Sequence, residues 1–294
     1  MTAGRLGEYL RARREHTTPA RAGIAVTERR RVAGLKRGEV AGLAGISTEY
    51  YTRLEQGHDR HPSAQVIGAL ARALCLDEPS TAHLFTLAAP ASSASSARRR
   101  ARRSERVPDS VRRLLDSWPR NPAFVQGRCM DVLAANRLMI ALSPMYRPGT
   151  NILRAAFLGH AVDELFADPE ARLDNAVAGL RALVGPDADD PHLVELIGEL
   201  SVESEEFRRL WSRHDVRPQT GDGVHRMHHP IAGDLELSYD KFFLAGADRQ
   251  MLVVYQAEPG SRSEAALDLL AATAAASATD ADAANAAGAT TAAG

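Results

Sequence analysis

Thr48, Glu49, Tyr50, Thr52 and Arg53 crowd hydroxyl, carboxylate, phenol and guanidinium groups into one short stretch. On a helix whose buried side carries Tyr51 and Leu54, these five face outward, and such donors and acceptors discriminate base edges in the major groove of DNA. Lys36, Arg37, Ser47 and Arg60 stand around them with the charge or hydroxyl suited to phosphate oxygens. A second helix must brace the first, and residues 37–57 supply it. Val40, Ala44, Ile46, Tyr51 and Leu54 can form the core between the two helices, with Ala41 small where they cross. Gly45 stands where the chain leaves the first of them with a positive φ, and Ser47 caps the second with its side-chain oxygen. The pattern predicts a helix-turn-helix that reads double-stranded DNA.

This segment resembles the helix-turn-helix of the Cro and phage-repressor family, the XRE type. That resemblance makes Glu55 a structural acid, paired with an arginine of the first helix (Arg11, Arg13 or Arg14) and not in contact with bases. Apolar spacing at Leu6, Tyr9 and Leu10 places the first helix over residues 6–15. Residues 17–35 exceed the usual connection in such a domain. With Pro19, Gly23, Gly34 and the run Arg29, Arg30, Arg31, they read as a basic loop whose arginines either contact phosphates or stay solvated. Ser63, after Pro62, caps a fourth helix to about residue 74, and a fifth covers 78–88. Residues 1–89 are therefore expected to form an all-α domain of five helices.

The 294 residues carry a formal charge of only −1, which conceals an asymmetry. Through Arg106 there are 19 Lys and Arg against 10 Asp and Glu, whereas from Val107 onward there are 17 against 27. A basic amino-terminal half supplies phosphate attraction, and an acidic remainder stays off the DNA. Residues 90–107, rich in Ser, Ala and Arg, read as a flexible linker. Residues 272–294, almost only Ala, Thr, Ser, Asp and Gly, have no face to bury and read as a disordered tail. Cys75, in an apolar helix, and Cys129, in a strand, suit buried thiols better than a disulfide. No apolar run reaches membrane-spanning length and no signal-peptide core is visible, so a cytoplasmic location is expected.

Residues 108–271 form the second domain. A helix over 109–117 precedes two apolar stretches around Gly127, which predict a hairpin, and Asn136 opens the next helix as its cap. Helical spacing follows at 150–158, 161–166, 169–184, 191–201 and 204–214. Alternation at Leu235, Leu237 and Tyr239 and the run 251–255 then read as strands, and a helix over 264–270 closes the domain. This order fits an α+β fold, one antiparallel sheet covered on one side by helices. Phe124, Val132, Leu235, Leu237, Tyr239, Val253 and Tyr255 would line the inner face, joined from the helices by Phe157, Leu158, Leu180, Leu196, Phe207 and Trp211. Such a set closes either as a solid core or around a hollow. If hollow, the pocket residues are Phe124, Val132, Phe207, Trp211, Leu237, Tyr239 and Tyr255.

His225, His228 and His229 cannot converge on one metal from a regular strand, since His228 points to the other face. No nucleophile elbow, phosphate loop or dinucleotide glycine pattern occurs, so neither an enzyme nor a resident cofactor or metal is expected.

Across residues 5–270 the chain resembles the actinobacterial MmyB-like transcription regulators. The carrying residues are 42–57 in the first domain and Pro122, Phe124, Asp131, Asn136, Phe207, Trp211, His229, Pro230, Gly233, Leu237 and 253–260 in the second. That resemblance implies a PAS-like, MmyB-type ligand-binding domain, with fatty acids as a proposed ligand class; the leading reading is a sequence-specific regulator of transcription that acts as a homodimer. The alternative is that the second domain serves only dimerisation or protein interaction, without a ligand.

Overall fold

The computed structural model describes residues 4–25, 30, 32–59, 62–89, 105–159, 165–184, 190–217, 222–246 and 250–291. The chain clusters into two compact units, one of Met1–Arg102 with Asp174–Gln219, the other of Arg103–Leu173 with Thr220–Gly294. The linker expected at 90–107 lies outside the described residues as far as 104. Most of the helix expected at 161–166 also lies outside them.

In the first unit, α1 (Gly4–His16), α2 (Arg37–Ala44), α3 (Thr48–Glu55), α4 (Ala64–Ala73) and α5 (Glu78–Ala88) follow in order. Their ends follow from side-chain chemistry. Ser47, Ser63 and Asp77 accept from the backbone N–H groups of Tyr50, Val66 and Ser80, which satisfies donors that the first turn of each helix would leave open. Gly45 ends α2 at φ 68°. Leu6, Tyr9, Leu10, Val40, Ala41, Tyr51, Leu54, Ile67, Leu70 and Leu84 close one core. Cys75 lies past the end of α4 at φ 51° and not within an apolar helix.

The long connection after α1 is pinned at both ends. Thr17 Oγ1 donates to the Leu74 carbonyl, the Leu35 amide donates to the Arg14 carbonyl, and the Leu35 side chain is fully buried. Arg30 makes a two-pronged ion pair with Glu39 of α2 at 2.7 and 2.8 Å, while Arg29 and Arg31 fall outside the described residues.

In the second unit, α6 (Asp109–Asp116), β1 (Ala123–Gln126), β2 (Val132–Ala135), α7 (Arg137–Leu142) and α8 (Ile152–Phe157) lead to α9 (Pro169–Val184), inside which the boundary between the units falls. Helices α10 (Pro191–Glu203) and α11 (Glu205–Ser212) belong to the first unit. The second resumes with β3 (Gly223–His229), β4 (Gly233–Phe243), β5 (Met251–Ala257) and α12 (Arg262–Thr291). The five strands form one sheet in the order β2-β1-β5-β4-β3, antiparallel throughout.

Register sorts the sheet's two faces. Phe124 opposes Val253, Tyr255 opposes Tyr239, and Lys241 opposes Val253, so these side chains share one face with Leu237 and His225. The opposite face is not bare, which corrects the expectation of a one-sided cover. Val107 and Leu115 pack there with Ala123, Val125, Ala134, Leu252 and Val254. The unbroken apolar run of β5 has this cause: a strand buried on both faces has no polar side to alternate with. Cys129 sits in the turn between β1 and β2, and both cysteines are free thiols. α12 buries Leu267 and Leu270 and continues as helix to Thr291 across the stretch expected to be a disordered tail; alanine's helix propensity needs no burial to do so.

Helix α1 crosses α3 so closely that a Cβ on Gly7 would lie 2.2 Å from the Glu55 carbonyl oxygen, whereas a Cβ on Gly42 of α2 meets nothing within 4 Å. Opposite effects of the same change follow. Gly7→Ala should destabilise the first unit by about 2 kcal/mol or more, because backbone must move, and Gly42→Ala should stabilise it by roughly 1 kcal/mol. Urea denaturation of the full chain measures both; equal gains would mean that the helices do not meet at Gly7.

Candidate functional site

Helix α3 presents Thr48, Glu49 and Arg53 to solvent, with Tyr50 and Thr52 partly covered, while Tyr51 and Leu54 are fully buried. Thr52 Oγ1 donates back to the Thr48 carbonyl at 2.8 Å, and Ser47 is occupied in capping. Thr48, Glu49 and Arg53 are thus open to solvent on one helix, while Tyr50 packs in part against the core.

What seats that helix is a carboxylate. Glu55, with its side chain 2 % exposed, accepts from Arg14 Nε at 2.6 Å and from Arg37 Nε at 2.7 Å. Burial by itself would push this carboxyl up, but the bonds from Arg14 and Arg37 outweigh it and hold the group below its usual range. Arg14 also donates to the Leu35 carbonyl, so the same guanidinium ties the long connection to α1. Of the three candidates on α1, Arg14 is thus the partner; Arg11 pairs with Glu15 and Arg13 with Asp215. Arg37, expected at a phosphate, directs its Nε to Glu55, with its side chain still half-exposed. Lys36 is exposed, its backbone N–H donating to Glu39, and Arg60 lies outside the described residues.

Residues far along the chain complete this unit. Arg13 Nη1 donates to Asp215 at 2.7 Å, Val216 is buried in the core of α1 to α5, and the His214 ring stands edge-on to Tyr9 at 6.2 Å. Arg181 of α9 lies 3.8 Å over the Trp211 ring and donates to the Trp211 carbonyl.

The second unit gathers a different set. His225 lies 4.3 Å from Tyr239 and 5.7 Å from Tyr255 between ring centroids, and Phe166 stands edge-on to it at 5.4 Å. Phe166 is held there by a bridge to Met227 on the edge of β3. Two cations border these rings: Arg172 is 5.1 Å over Phe166, and Lys241 Nζ is 5.4 Å over Tyr239. Burial, with Arg172 close by, pulls Lys241 down to about 8; burial, Arg172 and Lys241 together press His225 down to about 2. Tyr146, fully buried, packs against Phe124 at 4.9 Å.

The MmyB-like transcription regulator ligand binding domain matches residues 107–270, more than half of the chain, and a helix-turn-helix domain matches residues 5–84. The chain belongs to the MmyB-like family. It is a DNA-binding regulator with a carboxy-terminal domain of the ligand-binding type. No curated protein matches it.

Within the MmyB-like domain, the structure brings Phe124, Val132, Leu237, Tyr239 and Tyr255 to one sheet, with Phe124, Leu237, Tyr239 and Tyr255 on one face. Phe207 and Trp211 stack on each other at 5.7 Å in α11, within the other unit. Asn136 is a structural hub: it accepts from the Met139 and Ala123 amides and donates to the Trp118 and Asn121 carbonyls. His229 donates from Nε2 to the Ala141 carbonyl and accepts at Nδ1 from Ile231 and Ala232, and His228 pairs with Asp234 on the opposite face. Sequence reasoning missed Arg172, Lys241, Tyr146 and Phe166. A signal for Lys241 was present, since it continues the inward parity of Leu235, Leu237 and Tyr239.

Two predictions follow from the buried charges. Glu55→Gln leaves Arg14 only the more exposed Glu15 carboxylate at 3.4 Å and should cost about 3 kcal/mol of stability, read by chemical denaturation; a neutral result would remove the carboxylate from its seating role. His83 is held down to about 4 by burial and Arg181, and His214 to about 3 by burial, Arg181, His83, Arg13 and His16. Both stay neutral when folded, whereas the unfolded chain takes up protons below about pH 6.5, so stability falls as pH falls. Each histidine should cost up to about 2 kcal/mol between pH 7 and 5. Thermal melts of His83→Gln and His214→Gln should show a flatter pH dependence over that window; an unchanged slope would contradict it.

Proposed function

We propose that this XRE-type protein binds a specific operator as a homodimer, and that its PAS-like carboxy-terminal domain senses a small apolar molecule, fatty acids being the class its family resemblance suggests. The observation that carries the DNA reading is the seating of α3: its apolar side is buried, its carboxyl end is clamped through Glu55, and its outward side holds Thr48, Glu49, Tyr50, Thr52 and Arg53. A helix so fixed reaches a major groove without first paying to order itself. Lys36, Arg37 and Ser47 flank it for phosphates, and Arg60 is assigned there from sequence.

The sensing reading is supported by the strand order 2-1-5-4-3 and by an inner sheet face of rings and cations in place of plain aliphatic filling. Ligand binding would act by changing how the two DNA heads are spaced relative to their half-sites. Composition rich in Ala, Arg and Gly supports an actinobacterial, high-GC source, and the absence of a membrane-length apolar helix among the described residues accords with work in the cytoplasm.

Operator selection from random DNA, followed by footprinting, tests the first half. Arg53→Ala should weaken operator binding by roughly tenfold to a hundredfold while leaving random DNA almost unaffected. Lys36→Ala should instead weaken both and lower the salt slope by about one. Equal losses on operator and random DNA for Arg53→Ala would reject base reading.

A further inference from the structure

Glu49 and Arg53 stand one helical turn apart on the open side of α3, acid before base, the spacing and order that favour an ion pair along a helix. Among the described residues they make none. Other arginines of this unit do meet carboxylates: Arg11 at Glu15, Arg13 at Asp215, Arg14 and Arg37 at Glu55, and Arg30 at Glu39. The acid and the base of α3 thus keep their hydrogen-bonding capacity open. Thr52, between them in sequence, has already given its hydroxyl hydrogen to the Thr48 carbonyl.

The two groups are opposite in what they recognise. A guanidinium only donates, and its fork matches the paired acceptors O6 and N7 of guanine. A carboxylate only accepts. In the major groove cytosine offers it the N4 donor, whereas guanine and thymine present acceptors and no donor, and adenine sets an acceptor beside its donor. A carboxylate pressed against acceptors loses water and gains no partner, which is costly. Phosphates repel it as well. A surface shaped only for affinity to DNA would not carry Glu49 there, but one shaped to refuse most sequences would. One turn of helix rises about 5.4 Å and stacked base pairs about 3.4 Å, so side chains one turn apart reach neighbouring pairs.

Resting on the reading that α3 enters the major groove, we propose that Glu49 and Arg53 together set the operator's base identity. The half-site holds two neighbouring C·G pairs, one read from its cytosine N4 by the Glu49 carboxylate, the other from its guanine O6 and N7 by Arg53. Glu49 acts chiefly by exclusion: it adds little to binding of the right sequence and makes the wrong ones worse.

Selection from random DNA with the full chain, then fluorescence-anisotropy titration of single-pair substitutions, tests this. Changing either C·G pair should weaken wild-type binding by about tenfold or more. Glu49→Gln should move the preference at one pair from C·G to A·T, because an amide pairs with adenine N6 and N7 together. Glu49→Ala should lose the preference at that pair through tighter binding of the substituted sites, and keep the guanine read by Arg53. Circular dichroism and thermal melts show that the variants fold. An acid that served only the dipole of α3 would lower the melting temperature on replacement and leave base preference as it was. That result in folded variants that still select an operator, or a shift at a pair other than C·G, overturns the proposal and leaves DNA reading intact. A wild-type chain that enriches no sequence would defeat the reading of α3 itself, and this proposal with it.

Discussion

The buried carboxylate of Glu55 is the constraint on which the DNA-facing unit depends. It closes the carboxyl end of α3, where a glutamate is unfavourable to the helix dipole, and it does so in a position nearly sealed from water. Only paired cations make that tolerable. Arg14 comes from α1 and Arg37 from the first turn of α2, so one charge ties three helices, and Arg14 also reaches Leu35 at the end of the long connection. Close approach at Gly7 then becomes necessary, because the carboxylate is reached only when α1 lies directly on the last turn of α3.

The helix-turn-helix was legible in sequence because its determinants are local. Val40, Ala41, Tyr51 and Leu54 repeat with helical spacing, and Gly45 and Ser47 stand at the two ends of a short turn where backbone chemistry demands them. The sheet strands were legible for the same reason, since alternation in β4 and the doubly buried run of β5 are one-dimensional patterns. Compact-unit membership was not. Nothing in residues 174–217 marks them for α1, because Arg13 and Asp215 are 202 positions apart and each reads alone as an ordinary surface charge. Arg172 was passed over because its apolar neighbours Leu173, Ala176 and Val177 fully account for a helix there.

The buried cations of the first unit are held by partners within it. In the first unit the charges are balanced in place: Arg14 by Glu55, Arg13 by Asp215, and Arg30 by Glu39, whose carboxyl is held at about 2 chiefly by the bond from Arg30. Even Arg181, without a carboxylate bonded to it, has a carbonyl and an indole face, and burial draws it down to about 10. Arrangements of that kind fix geometry.

The sheet unit sets cations of its inner face against rings. Arg172 lies over Phe166 and Lys241 over Tyr239, while Asn136, Asn151 and His229 hold partners on the backbone. The inner face of this sheet gathers two cations and an imidazole kept neutral by burial into one aromatic cluster. Register fixes that gathering, because the alternation that turns Leu237 and Tyr239 inward turns Lys241 inward as well.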